Sequence, residues 1–268
     1  MTLQKDVFAV IPEKKRVWVI SAPAGDAVRL RFLHKKIATE FKVGDAVVYL
    51  GNLMGPGPDT VKTIDEALLF RRALISIPGV SQNDVIYLRG QQEEMFHRLM
   101  QIQFAKNPAD VYEWMLAHGL KQTLLSYGID PDEGKRILPQ GVVAMSRWTT
   151  ALRKAQQEHD GHIDYMAELK HAAYTSDNEL LMVHFGINHD VSLQLQGDAF
   201  WWGGTVPFVR PYPYMGFKRV VRNFPSHQKT GVLSVPAYTT LVSGGGFDAP
   251  IYSVLFDEKH QQCLVLDA

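Results

Sequence analysis

The chain has 268 residues, of which 46% are hydrophobic and 21% charged, a composition that is typical of a globular protein and excludes a disordered chain. Lys plus Arg number 28, as do Asp plus Glu, so the zero net charge disfavours nucleic-acid binding driven by bulk charge. The single cysteine, Cys263, excludes an intrachain disulfide and a four-cysteine zinc site, and we expect it in the core. No run approaches the ~20 apolar residues of a membrane span, so we expect a cytoplasmic protein with no membrane partner.

The first hundred residues alternate short apolar runs with helical patterns. The apolar runs predict strands over 17–20, 45–50 and 84–88. The spacing of apolar residues predicts helices over 26–41, 61–74 and 93–104. The buried side of the first helix is expected to contain Val28, Phe32, Leu33 and Ile37. This alternation favours a parallel α/β arrangement whose ligand site lies at the strand ends.

The middle of the chain is mostly helical in pattern, and the C-terminal part is mostly β. A helix is predicted over 163–173 and a strand over 180–184. From residue 220 onward, short β-branched and aromatic runs separated by Gly and Pro predict further strands. Because there is no internal repeat or flexible linker, we predict one domain over 1–268 with a helical cap inserted at about 107–178.

Four motifs include or directly follow the ends of predicted strands, at the points where ligand-binding loops are expected. They are SAPAG (21–25), VVYLGNLMGPGPDT (47–60), LRGQQEEM (88–95) and LLMVHFGI (180–187). In their order and flanking residues they resemble the calcineurin-like metallophosphoesterases, specifically the bacterial serine/threonine protein phosphatase and dinucleoside-tetraphosphatase branch. The resemblance implies an α/β fold with two mixed β-sheets in a sandwich, flanked by helices and carrying the helical cap.

The residues that would carry the family's chemistry are altered. The family reads GD-hydrophobic-HG, LGDYVDRGPDS and LRGNHEEM, and it uses two metal ions to clamp phosphate and activate water. The family's VHAG histidine remains as His184. The other positions of this vestigial phosphatase pocket hold neutral side chains, namely Ala22, Ala24, Asn52, Gln91, Gln92 and Phe224. Because paired dications need anionic or imidazole ligands, we predict no metal, no other cofactor and no catalytic residue. The resemblance then implies a pseudophosphatase that acts as a binding or regulatory module.

An alternative interpretation is an active metal-dependent phosphoesterase with Mn or Fe/Zn in a rearranged site. Its substrate would be a phosphoprotein or a dinucleoside polyphosphate. Its ligands would be His184, His189, His227 and a carboxylate such as Asp190. The neighbouring acids Glu93 and Glu94 are instead expected in the first turn of a helix, where acidic residues suit the helix dipole.

An aromatic and proline-rich segment is a candidate interaction surface, because Trp, Tyr and Arg are enriched at protein interfaces. Its residues are Trp201, Trp202, Phe208, Arg210, Tyr212 and Tyr214. A loop packed over the core is the alternative. The expected partner is a protein bound to this surface, or a phosphorylated ligand held by backbone N–H groups of the pocket. A homo-oligomer is a third interpretation.

Overall fold

The computed structural model describes residues 7–203, 213–226, 230–244 and 249–268. Phe208, Arg210, Tyr212 and His227 therefore lie outside the described residues. The strands are β1 (Phe8–Ile11), β2 (Val17–Ile20), β3 (Ala46–Tyr49), β4 (Val85–Tyr87), β5 (Ala172–Thr175), β6 (Leu180–Val183), β7 (Arg219–Ser226), β8 (Gly231–Val235), β9 (Tyr238–Gly244), β10 (Tyr252–Phe256) and β11 (Gln262–Asp267).

The helices alternate with the first strands and then form a continuous helical segment. They are α1 (Ala27–Glu40), α2 (Thr60–Ile75), α3 (Gln91–Leu99), α4 (Pro108–Met115), α5 (Lys121–Ser126), α6 (Pro131–Ile137), α7 (Val142–Gln157), α8 (His162–Glu168) and α9 (Ala199–Trp202). Two aspartates fix where the first helices begin. The Asp26 side chain accepts from the amide of Arg29, and the Asp59 side chain accepts from the amide of Lys62, which satisfies backbone donors that a helix start leaves open.

Two mixed sheets form the centre of the molecule. One has the strand order β11-β10-β2-β3-β4, and the other has the order β1-β5-β6-β7-β9-β8. Strands β2, β3 and β4 run parallel, and β10 joins them antiparallel. The predicted sandwich of two mixed sheets flanked by helices is confirmed.

Alternation along each strand creates the layers of the core. In β2, Val17 and Val19 pack between the two sheets, whereas Trp18 and Ile20 face the helices, together with helical-segment residues such as Tyr112. A third cluster covers the outer face of the six-stranded sheet. The carboxyl ends of β2, β3 and β4 therefore lie at one edge, between the sandwich and the helical segment.

Several expectations from the sequence differ from the structure. In α1, Leu33 and Ile37 are buried, but Val28 and Phe32 are 65% and 56% exposed, because they lie beside the narrow helical stripe that covers the sheet. Strand β5 begins inside the stretch 163–173 that was predicted as helix, because its pairing with β1 and β6 outweighs the helical pattern. Cys263 is exposed on β11, at the edge of the five-stranded sheet.

The helical segment ends at α8, so the strand β5 occupies the last part of the predicted cap range. The division of the chain into one domain with an inserted cap stays a prediction. No helix in the described part of the chain is long and apolar enough to cross a membrane.

Candidate functional site

The loops after β2, β3 and β4, residues 21–25, 50–57 and 88–92, meet at the edge where these parallel strands end. We call them the strand-end loops. Backbone hydrogen bonds join the first loop to the second. The Ala24 amide donates to the Asn52 carbonyl at 2.7 Å, the Gly25 amide to Leu53 at 3.1 Å, and the Gly57 amide back to Ala24 at 2.8 Å. The loops thus bind each other through their main chains.

The carboxylate of Glu93 holds the second and third loops together. It is fully buried and accepts hydrogen bonds from the backbone amides of Asn52 at 2.8 Å, Met54 at 3.0 Å and Gly90 at 2.9 Å. The Tyr165 hydroxyl also donates to it, at 3.1 Å. Burial raises the pKa of Glu93, while these hydrogen bonds act in the opposite direction. Both carboxylate oxygens therefore accept hydrogen bonds from backbone amides. Glu93 lies in the first turn of α3, as expected.

Close approach of the backbones explains two glycines in these loops. A Cβ on Gly51, whose φ is +92°, would lie 2.5 Å from the Gly90 nitrogen, and one on Gly90 would lie 2.3 Å from the Asn52 nitrogen. Such distances are too short for any side chain. Asn52 itself has a φ of +56°, and its Oδ1 accepts from the Gln92 amide at 2.9 Å. The Asn52 side chain is thus committed to the loop that follows β4.

The two glutamines at the start of α3 differ in their surroundings. Gln91 is half-buried at the first helical position. Gln92 is buried, and its Nε2 donates to the His118 carbonyl at 2.8 Å, in the turn between α4 and α5. Its Oε1 has no hydrogen-bond partner in the described part of the chain. Gln92 therefore connects the strand-end loops to the helical segment.

His184 follows β6 and is buried against the second loop. Its Nδ1 donates to the Leu50 carbonyl at 2.6 Å, which leaves Nε2 as the basic nitrogen of a neutral ring. Burial lowers the pKa of His184 to about 4. The ring is therefore uncharged at neutral pH, and its own carbonyl accepts from the Asn223 amide at 2.9 Å.

Asn223, rather than Phe224, faces the strand-end loops. Its Oδ1 accepts from the Ala22 amide at 3.4 Å. Phe224 packs on the Phe185 ring, with 5.6 Å between centroids. Because neighbouring residues of a strand point to opposite faces, the assignment of Phe224 to the pocket is wrong by one residue. The other six predicted pocket positions (Ala22, Ala24, Asn52, Gln91, Gln92 and His184) lie in or beside these loops.

The side chains at this edge do not fit a binuclear metal centre. Two adjacent dications need anionic or imidazole ligands, and here the oxygens come from neutral amides, while the Glu93 carboxylate is used by three backbone donors. No group of three or more His, Cys, Asp or Glu residues that could hold a metal occurs within the described ranges. We therefore derive no chemical step through a metal.

Among the described residues, His184, His189 and Asp190 do not form a group that could hold a metal ion. His189 contacts the Tyr238 hydroxyl and the Tyr214 ring, whereas His184 is bound to Leu50 on the second strand-end loop. His227 lies outside the described residues. The alternative interpretation made these histidines ligands of one metal site. In the structure, His184 and His189 have different hydrogen-bond partners.

The candidate interaction surface is largely interior where it is described. Trp201 and Tyr214 are 6% and 1% exposed, because they cover the outer face of the six-stranded sheet. Their prediction as surface residues is wrong. Trp202 is half-buried, and its ring lies 5.4 Å from the exposed Trp114 of α4.

Comparisons with known proteins give matches in structure only. No protein-family model matches the sequence, and no curated protein sequence matches it. A candidate diadenosine tetraphosphatase superposes with a TM-score of 0.56 at 14% identity, covering 98% of this chain and 97% of that chain.

Two further solved structures resemble this chain. A protein serine/threonine phosphatase from Saccharomyces cerevisiae has a TM-score of 0.51 at 12% identity and covers 99% of this chain and 84% of its own. A cold-active protein-tyrosine phosphatase of Shewanella has a TM-score of 0.54 at 10% identity, with 95% and 81% covered. At these identities the likeness shows the fold alone. Together with the two mixed sheets and the strand-end loops, it shows that this chain has the calcineurin-like metallophosphoesterase fold.

Proposed function

We propose that this chain is a phosphatase-like protein that does not hydrolyse phosphoric esters and acts by binding. The observation that carries the proposal is the donor set of the strand-end loops. Ala22 and Ala24 offer no coordinating side-chain atom, and the Asn52 amide oxygen is bound to Gln92. A neutral His184 is the imidazole at this edge. Such groups neither seat paired dications nor stabilise the charge that develops on a phosphoryl group.

Metal content and turnover test this proposal together. Protein purified without chelator is analysed for Mn, Fe and Zn, and is then assayed with p-nitrophenyl phosphate and diadenosine tetraphosphate in the presence of Mn²⁺. We expect substoichiometric metal and no turnover above a blank. Stoichiometric metal with turnover that disappears in His184→Ala would contradict the proposal.

A restored variant supplies the positive control. It combines Ala22→Asp, Ala24→His, Asn52→Asp, Gln91→Asn and Asn223→His, which returns charged and imidazole ligands to the strand-end edge. We expect this variant to retain Mn²⁺ on a desalting column while the parent chain does not. Equal retention by both chains would show that the parent ligand set is sufficient, against the proposal.

The hydrogen bonds of the loops favour a protein partner over a phosphorylated ligand. Backbone donors that would hold a phosphate must be free, but the amides of Ala24, Asn52 and Gly90 donate to acceptors inside the loops. A second copy of the chain is the protein partner that is simplest to test. Light scattering on the eluting protein gives its mass, and loss of a dimer in Trp114→Ala would place the contact at the exposed Trp114 and its neighbour Trp202.

A further inference from the structure

Arg222 is a buried cation on the face of β7 opposite Asn223. Val221 packs between the sheets and Val220 packs on the outer face, so strand alternation places Arg222 on the outer face with Phe224. The residue is 8% exposed. It was not among the candidate site residues, since a lone arginine in a β pattern carries no functional signal.

One donor of Arg222 has a partner in the described part of the chain, and its Nη atoms are not among the fully buried side-chain atoms that lack one. Its Nε donates to the Thr240 hydroxyl at 3.2 Å, and its Cζ lies 5.5 Å and 5.7 Å from the centroids of the Phe224 and Tyr238 rings. A guanidinium carries five N–H donors. No carboxylate within the described ranges forms an ion pair with it. Burial lowers the pKa of Arg222, which reflects a charge removed from water.

Two other sheltered arginines of this chain, Arg16 and Arg89, have acidic partners. Arg16 donates through Nε and Nη2 to the two carboxylate oxygens of Asp45, at 2.8 Å and 2.6 Å. Arg89 contacts Glu94 at 3.2 Å. Arg222 has the aromatic faces that support a guanidinium but lacks the acid that usually compensates a buried one.

We propose that Arg222 anchors a binding site for an oxyanion, a carboxylate or phosphate group, on the outer face of the six-stranded sheet. The guanidinium lies over the rings of Phe224 and Tyr238, and its Nη atoms, for which the described residues supply no hydrogen-bond acceptor, form the planar fork that matches two oxygens of such an anion. The site lies across β7 from the strand-end loops and is independent of the function proposed for them. Its ligand supplies the charge that the described residues do not.

Thermal unfolding with sodium phosphate, sodium acetate or sodium chloride at equal ionic strength tests the site. We expect phosphate, acetate or both to raise the Tm saturably by several degrees over chloride. A response to phosphate alone identifies a phosphate site, and a response to both identifies a general oxyanion site. The absence of any saturable rise over chloride would overturn the proposal.

Two variants assign the effect to the guanidinium. Arg222→Lys keeps the charge and removes the fork, and we expect it to weaken the apparent affinity for the responding anion at least ten-fold, as bidentate recognition requires. Arg219→Lys is the matched control, because Arg219 lies on the same strand and its Nη1 donates to the Thr239 hydroxyl at 2.9 Å; it should keep the parent affinity. Equal affinities in the parent and Arg222→Lys, or equal losses in the two variants, would overturn the assignment.

Discussion

The strand-end loops and the outer face of β7 differ in how far their hydrogen-bonding groups are paired with other groups of the protein. In the loops, buried amides such as those of Asn52 and Gly90 find an acceptor in the Glu93 carboxylate. On the outer face, the Arg222 guanidinium has one described polar partner, the Thr240 hydroxyl. The first region is thus complete by itself, and we propose that an oxyanion completes the second.

This difference separates the scaffold of a site from its chemistry. The groups that shape the strand-end loops, Glu93, Gly51 and Gly90, act on the backbone. They keep the loops in place when the neighbouring side chains are alanine or amide. A fold of this kind can therefore preserve the outline of the strand-end loops while the side chains that line them differ.

Removing the Glu93 carboxylate should produce the largest effect on the completed region. In Glu93→Ala, three buried amides lose their acceptor, at about 1–3 kcal/mol each, so we expect urea unfolding to show a loss of at least about 3 kcal/mol in the free energy of unfolding. Glu133→Ala is the matched control, because Glu133 is also the third residue of its helix but is exposed. It should change stability by less than about 0.5 kcal/mol. Similar small losses in both variants would contradict the role given to Glu93.

Adding a methyl group at Gly51 should produce the next largest effect. Gly51 and Gly44 have similar φ values, +92° and +101°, but a Cβ at Gly51 would lie 2.5 Å from the Gly90 nitrogen, and one at Gly44 meets nothing within 4 Å. Gly44→Ala should cost about 1 kcal/mol from its left-handed backbone alone. Gly51→Ala should cost about 3 kcal/mol, because a backbone contact must also open. Equal melting temperatures for the two variants would show that the loops are not closely packed.

The pH dependence of stability should report the neutral ring of His184. Its pKa is lowered from 6.5 to about 4 by burial, so between these values the unfolded chain binds a proton that the folded chain does not. Stability therefore falls as the pH drops from 6.5 to 4, by about 1.4 kcal/mol per pH unit for this one group. In His184→Asn, which keeps a donor for the Leu50 carbonyl, the slope should decrease by that amount. An unchanged slope would mean that His184 is charged in the folded chain.

A glycine at position 24 should produce the smallest effect, and it should stabilise the protein. Ala24 has a φ of +52°, a conformation that costs a residue with a Cβ about 1–2 kcal/mol. Glycine also raises the conformational entropy of the unfolded chain, which offsets part of the relieved strain. The free energy of unfolding of Ala24→Gly should therefore rise by about 0.5 kcal/mol. Ala73→Gly, at an exposed position in the last turn of α2, should lose about 0.5 kcal/mol. The midpoint of urea unfolding should rise in Ala24→Gly and fall in Ala73→Gly. A lower midpoint in both variants would argue against strain at Ala24.

The sequence predicts the alternating first half of the fold well, because strong apolar runs mark β2, β3 and β4 and aspartates mark the starts of α1 and α2. Strands β1 and β5 were missed. Each has four residues, and their parallel pairing with one another is a long-range contact. A local pattern does not reveal such pairing.

The strand-end positions were predictable from their motifs, but contacts across the fold were not. Which of Asn223 and Phe224 faces the loops depends on the register of β7 beside β6, and a one-residue shift exchanges the two faces. The hydrogen bonds from three backbone amides to Glu93 likewise depend on contacts between loops, and two of these amides are about 40 residues away in the sequence. The outer-face position of Arg222 depends on the same register.

Anomalous diffraction from crystals soaked in Mn²⁺ tests the central claim most directly. The neutral donors of the strand-end loops should leave the space between Asn52 and His184 without an anomalous peak. Two strong peaks a few ångströms apart at that place would show that these loops seat paired cations, and would contradict the account.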